Sequence, residues 1–171
     1  MARESRFRVA RLDGASDRSQ FSSGSQPLDQ YFRTQVTQDI RKLVAACYVA
    51  LTHDDRIAGF YTLASASVPL HDFPGTVVQK LPRYPVVPTV RLGRLAVDES
   101  FKGVGLGGAL LADALDRAAR SEIAAFTMIV DAKDDTAVRF YEHPGFLRFA
   151  NAVNQLFLPL ATVRQLSRPT G

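Results

Sequence analysis

The sequence predicts a mixed α/β fold, on three observations. Short β-rich runs crowd the first half of the chain. An apolar strand then runs into a glycine-rich loop and a strongly amphipathic helix. A further strand–helix pair follows. Antiparallel strands first and βαβ units later give a sheet covered by helices. At 171 residues the chain is expected to form one domain, residues 1–163, with residues 164–171 as a mobile tail.

The elements follow in order. Residues 7–12 open a first strand. Residues 13–26 are polar and contain glycine, so they form a loop. Pro27 suits a first helical position, and Leu28, Tyr31, Phe32, Val36 and Ile40 recur at helical spacing. Residues 44–52 and 57–67 are β-rich runs around His53-Asp54-Asp55-Arg56, which predicts a hairpin. Residues 69–88 carry five prolines and are expected to be loop, with at most a short helix near 77–81. Residues 90–97 form the fourth strand. Residues 106–120 form a helix with Leu106, Leu110, Leu111, Ala114, Leu115 and Ala118 on one side. Residues 125–130 are a strand, and 134–142 a helix capped near Asp134. Residues 146–149 and 155–160 are two closing strands. There are no internal repeats.

Composition excludes several classes. Hydrophobic residues make up 46% of the chain, enough for a core. The single cysteine, Cys47, excludes a disulfide framework and fits a reducing cytoplasm. It lies in an apolar run, as a packing thiol does. Residues 1–6 hold no apolar stretch, so no secretory signal is expected, and no segment has the ~18 consecutive apolar residues of a membrane span. His53, His71 and His143 lack metal-ligand spacing, so no metal is expected. No Gly-x-Ser-x-Gly is present for a serine hydrolase.

The net charge is +4, but its distribution matters more. No acidic residue lies between Asp72 and Asp98, while Lys80, Arg83, Arg91 and Arg94 do. Arg33, Arg41 and Lys42 form a second basic group. Such a patch attracts polyanions such as nucleic acid, unless its arginines pair with carboxylates in the fold or simply face solvent.

Residues 92–108 are the most informative segment. Residues 104–108 offer a run of backbone N–H groups with little side-chain bulk, at the positive end of a helix dipole. That is a site for phosphate or pyrophosphate. A P-loop is excluded, because Gly107-Gly108-Ala109 lacks the lysine and hydroxyl. A dinucleotide fingerprint matches Gly103 to Gly108 only loosely. It lies too late in the chain to open a doubly wound sheet. A tight strand–helix turn without a ligand stays open on the loop alone.

The sequence Lys102-Gly103-Val104-Gly105-Leu106-Gly107 after Arg94-Leu95-Ala96-Val97 resembles the acetyl-CoA loop of the GNAT family of N-acetyltransferases. Gly105 and Gly107 fit that pattern. Lys102 stands where Gln or Arg is usual, and Val104 where Arg is common. The resemblance covers roughly residues 7–160. Residues 21–24 with Leu28 to Arg33, Gly59 to Val68, Leu81 to Pro88, Gly93 to Asp98, Val130 to Asp134, and Phe140-Tyr141-Glu142 with Gly145-Phe146 are similar to the GNAT toxins of bacterial toxin–antitoxin modules.

The resemblance implies a central mixed sheet of six or seven strands, whose fourth and fifth strands splay to admit the pantetheine arm of acetyl-CoA. Backbone groups near Leu95, Ala96 and Val97 would hold that arm. Lys102, Gly103, Val104, Gly105, Leu106, Gly107 and Gly108 would hold the pyrophosphate, with Ala132 also lining the cofactor site. It implies Tyr141 as the catalytic residue beside the CoA sulfur; packing on the sheet is the plainer role for that ring. It implies aminoacyl-tRNA as acceptor, held by Arg33, Lys80, Arg83, Arg91 and Arg94. It further implies a homodimer, neutralised by a ribbon-helix-helix antitoxin.

Elementary acid–base chemistry bears on the acceptor. No strong general base stands out. A lysine amine, with pKa about 10.4, needs help to lose its proton at pH 7; an α-amine, near about 7.7–8.0, is already partly neutral. An α-amine beside an ester, as in aminoacyl-tRNA, lies lower still. The alternatives are an N-acetyltransferase for a small amine or a protein N-terminus, and a CoA- or antitoxin-binding module without activity.

Overall fold

The computed structural model describes residues 6–14 and 16–166. In chain order the elements are β1 (Arg8–Arg11), α1 (Gln26–Thr34), α2 (Val36–Arg41), β2 (Ala46–Leu51), β3 (Ile57–Pro69), α3 (Gly75–Val78), β4 (Val86–Val97), α4 (Leu106–Arg120), β5 (Thr127–Asp131), α5 (Asp135–Glu142), β6 (Leu147–Arg148), β7 (Gln155–Pro159) and α6 (Leu160–Leu166). Among the described residues the strands join in one seven-stranded sheet, in the order β1-β2-β3-β4-β5-β7-β6. The mixed α/β class and the six or seven strands expected from the sequence are met. Two compact units make up the chain: Met1–Ala64 with Gly93–Ala114, and Ser65–Leu92 with Leu115–Gly171.

In the first unit, β1 pairs antiparallel with β2, and β2 with β3. The hairpin turn takes Asp55 to φ 62° and closes with the Thr52 amide on the Arg56 carbonyl at 2.9 Å. Short polar side chains such as Asp tolerate that left-handed conformation. The core centres on three rings. Phe32 stacks on Phe60 at 4.2 Å, and Phe21 sits edge-on to both. Cys47 is fully buried in this cluster. Burial pushes its thiol up to about 12, so it packs as a small hydrophobe.

The single helical pattern from Leu28 to Ile40 breaks into α1 and α2. Gln35 caps both helices, its φ of −112° stretched from the helical value while ψ stays at −33°. The preceding turn carries a back-bond from the Thr34 hydroxyl to the Gln30 carbonyl at 2.7 Å, a contact that bends helices. The break still leaves Tyr31, Phe32 and Val36 buried.

In the second unit, β4 and β5 run parallel, pairing Thr89 with Thr127 through Leu92 with Val130. The ladder ends there, although β4 continues to Val97. β4 begins at Val86, earlier than the prolines predict, because Pro88 sits where only an acceptor is needed: its carbonyl takes the Phe126 amide at 2.9 Å. β7 pairs antiparallel with β5 and with β6. Phe73 packs against Phe126, Phe149 and Phe157.

Further boundaries differ from expectation. The proline-rich stretch holds α3 at Gly75–Val78, slightly earlier than predicted. β6 is only Leu147–Arg148, because Phe146 and Phe149 turn into the core. Residues 164–166, expected in the tail, complete α6, and Arg164 donates to the Ala119 carbonyl at 2.7 Å. Residues 167–171 lie outside the described residues.

Candidate active site

The glycine-rich loop is built on a braced turn in the first unit. Asp98, 3% exposed, closes β4: its amide donates to the Ala58 carbonyl at 2.8 Å, and its carboxylate accepts from the Ser100 and Ser22 amides at 2.9 and 3.0 Å. Arg56 reaches the same carboxylate at 3.5 Å. The Glu99 amide donates to the Ser22 carbonyl at 2.8 Å. Lys102 donates to the Ser23 carbonyl at 2.6 Å. Ser23 in turn gives its amide and hydroxyl to buried Asp29 at 2.8 and 2.6 Å. Residues 21–24 and 98–102, both singled out in the sequence, thus form one hydrogen-bonded assembly.

Glycine suits position 24. Its φ is +88°, and a Cβ would stand 2.8 Å from a Glu99 carboxylate oxygen. Beyond the brace, Gly103 and Gly105 take φ of +80° and +82°, and a Cβ on Gly105 would meet open space. The loop's amides therefore stay uncovered. The first helical bond runs from the Ala109 amide to the Gly105 carbonyl at 3.1 Å. The amides of residues 104–108 have no acceptor among the described residues. The first turn of α4 carries no acidic residue. Positive dipole and free N–H groups together suit a pyrophosphate.

α4 is fixed by a pair that sequence reasoning missed. Tyr61, wholly buried on β3 and stacked on Tyr48 at 5.2 Å, donates to the Asp113 carboxylate at 2.5 Å. The partners are 52 residues apart, so no local pattern announces them. The predicted cofactor residues of β4 divide by burial, with Ala96 buried and Leu95 and Val97 half-buried.

The second unit carries Tyr141. Asp134 caps α5 by accepting the Ala137 amide at 2.8 Å, which meets the sequence expectation. Tyr141 lies on the last turn, its ring between Phe140 at 5.1 Å and Phe146 at 5.6 Å. Burial pushes its phenol up to about 12. Ala132 is buried, and its amide is already given to the Asn154 carbonyl at 2.8 Å. It can line a pocket but has no spare donor.

The five predicted tRNA contacts separate. Lys80 and Arg83 are exposed and make no ion pair among the described residues. Arg91 pairs with Asp131, so its charge is partly answered within the fold. Arg33 donates to the Phe21 carbonyl at 2.6 Å. Arg94 lies 3.5 Å over the centre of the Tyr31 ring. Among the described residues no group of three His, Cys, Asp or Glu side chains could hold a metal, and no helix is long and apolar enough to cross a membrane.

Comparison with known proteins bears on this geometry. A tRNA-acetylating toxin of Mycobacterium tuberculosis is 40% identical over 138 residues, covering 80% of this chain and 81% of its own. The structure of AtaT complexed with acetyl-methionyl-tRNAfMet superposes with a TM-score of 0.87 at 26% identity, covering 95% of this chain and 99% of that one. AtaTR bound with acetyl-CoA gives a TM-score of 0.82 at 27% identity, covering 95% and 98%. The acetyltransferase (GNAT) domain family matches residues 23–156, and with the phosphate-type loop already in place at the start of α4, the chain belongs to that family of acetyltransferases.

Proposed function

We propose that this protein is a toxin that moves an acetyl group from acetyl-CoA to the α-amino group of aminoacyl-tRNA and so blocks translation. The observation that carries the reading is the uncovered amide run of residues 104–108, in a chain whose relative is named a tRNA-acetylating toxin.

Acetyl-CoA supplies the activated acetyl thioester. The amides of residues 104–108 bind its pyrophosphate, Lys102 adds positive charge, and the backbone of residues 93–97 holds the pantetheine arm and polarises the thioester carbonyl. The acceptor nitrogen forms the new N–C bond as the C–S bond breaks, and the nitrogen's surplus proton ends on the sulfur. Tyr141 mediates that last step: its hydroxyl donates to the leaving sulfur and is reprotonated from the amine side. A free thiol titrates near about 8.5 and an ordinary phenol near about 10, so full transfer from the phenol is uphill. Burial of Tyr141 widens that gap. Tyr141 therefore acts as a hydrogen-bond donor, with proton transfer late or concerted.

A site with a phenol but no strong base suits an amine that is already partly neutral. That favours the α-amine of an aminoacyl ester over lysine. Lys80 and Arg83 would hold the acceptor stem through phosphates, which position without reading sequence. A protein acting on aminoacyl-tRNA works where translation does, in the cytoplasm. We further propose a homodimer, and a ribbon-helix-helix antitoxin as the neutralising partner; the likeness to AtaT, whose complex with AtaR on DNA has been solved, supports an antitoxin partner.

The test is incubation with total charged tRNA and labelled acetyl-CoA. Label on the aminoacyl nitrogen, lost in Tyr141→Phe, is the expected result. Label passing to small amines or peptide N-termini with charged tRNA untouched would overturn the reading.

A further inference from the structure

Arg94 is held in an unusual way for a surface-reaching arginine. Its guanidinium carbon stands 3.5 Å over the centroid of the Tyr31 ring, so the charged group is in van der Waals contact with the ring's face. Its backbone amide is tied to the buried Thr62 hydroxyl at 3.1 Å. No carboxylate, carbonyl or hydroxyl among the described residues accepts from the guanidinium. One face is covered, and the N–H edges are left unassigned.

Tyr31 is itself locked. Its ring is 7% exposed, and its hydroxyl donates to Asp39 at 2.9 Å. The other Asp39 oxygen accepts from the Gln35 side chain at 3.1 Å. A phenol that donates to a carboxylate carries a more electron-rich ring, and an electron-rich face attracts a cation more strongly. The carboxylate thus strengthens the hold on Arg94 without contacting it, which leaves the guanidinium's own hydrogen-bonding capacity intact. A direct Arg–Asp pair would have consumed that capacity.

We infer that Tyr31 and Asp39 are positioning residues that present Arg94 as a fixed, edge-on donor to a phosphate oxyanion in the transfer reaction. The inference rests on the proposed acetyl transfer to aminoacyl-tRNA and adds to it the device that orients one contact. Two sources carry that oxyanion: the phosphodiester of the nucleic-acid acceptor and the phosphates of CoA.

The experiment uses the full chain with Arg94→Lys, Tyr31→Phe, Tyr31→Leu and the double variant Tyr31→Leu/Arg94→Lys. Acetyl-CoA affinity is read by calorimetry, and KM and kcat for charged tRNA by label transfer. Arg94→Lys keeps the charge but loses the planar fork and the stack, so KM for charged tRNA is expected to rise on the order of tenfold with kcat within about twofold. Tyr31→Leu is expected to raise KM in the same direction, Tyr31→Phe by less, and the double variant no further than Arg94→Lys alone. A weakened acetyl-CoA affinity with unchanged KM for tRNA keeps the oxyanion role and assigns it to CoA. Unchanged values in both arms for Arg94→Lys overturn the inference. So does an additive double variant, which makes Tyr31 a packing residue only. Should Tyr31→Leu fail to fold, Asp39→Asn and Tyr31→Phe carry the same comparison. If the wild-type chain binds acetyl-CoA but acetylates no charged tRNA, the proposed acceptor falls, while the calorimetric arm still decides Arg94.

Discussion

Lys102 reaches back across the loop base to the carbonyl of Ser23, 2.6 Å away, so a side chain that stands where Gln or Arg is usual in the resembled loop is spent in part on architecture. An ammonium has three donors, and one bond to Ser23 leaves two for an anion. A lysine therefore suffices here where a guanidinium is usual: it braces the N-terminal segment and keeps its charge at the loop.

The brace gives a stability prediction. Gly24→Ala places a Cβ in a left-handed residue and against the Glu99 carboxylate. A loss of about 1–2 kcal/mol is expected from the backbone conformation. That corresponds to a fall in Tm of roughly 2–8 °C for a chain of this size. An unchanged Tm in thermal denaturation would contradict the brace.

Gly105→Glu tests the amide run. The residue sits at φ +82° with open space at its Cβ, so a glutamate side chain fits but brings strain and a negative charge to the proposed phosphate site. Acetyl-CoA binding in calorimetry is expected to vanish while circular dichroism stays native. Retained affinity would show that pyrophosphate sits elsewhere.

Tyr141→Phe removes only a hydroxyl and leaves the packing with Phe140 and Phe146. Turnover is expected to fall about 10²–10⁴-fold, typical of an acid–base group, with acetyl-CoA affinity kept. Near-normal turnover at saturating substrate would reduce Tyr141 to a packing ring.

The pH profile follows from the same group. Burial raises the phenol's pKa to about 12, so the donor form persists through neutral and mildly alkaline pH. The rate should rise as the acceptor amine loses its proton near about pH 7–8, with no falling limb below about pH 10. The linkage sign agrees: a raised folded pKa stabilises the fold fully below about 10, and that contribution is lost as pH rises towards 12. A descending limb near pH 8.5 in kcat/KM would reject Tyr141 as the donor.

Charge reversal should separate the basic residues. Arg83→Glu and Lys80→Glu are expected to raise KM for charged tRNA and to lower its salt dependence by about one counterion each. Arg91→Glu should do less, because the Arg91 guanidinium already faces Asp131. Equal effects at all three positions would mean that the ion pair opens on binding.

What the sequence made legible was local. The helix at Leu106–Arg120 matched its expected bounds, because one apolar face and a glycine-rich entry mark it from within. The Asp134 cap was legible for the same reason. The break at Gln35 was not, since Val36 and Ile40 continue the helical spacing across it. Nor were the partners of the predicted arginines. Arg91 meets Asp131 from 40 residues away, and Arg94 meets Tyr31 across the first unit, so each answer depends on strand register and packing.

The contact of Ser22 with Asp98 joins groups 76 positions apart. Folds rich in non-local contacts of this kind reach the native state more slowly than those built from local ones. For a chain emerging from the ribosome the consequence is strict: the brace cannot be assembled until Lys102 has been made and released, and the proposed donor Tyr141 follows later still. On the proposed mechanism an unfinished copy therefore carries no competent site. Synthesis itself delays the onset of an activity whose proposed target is the translation machinery that makes it.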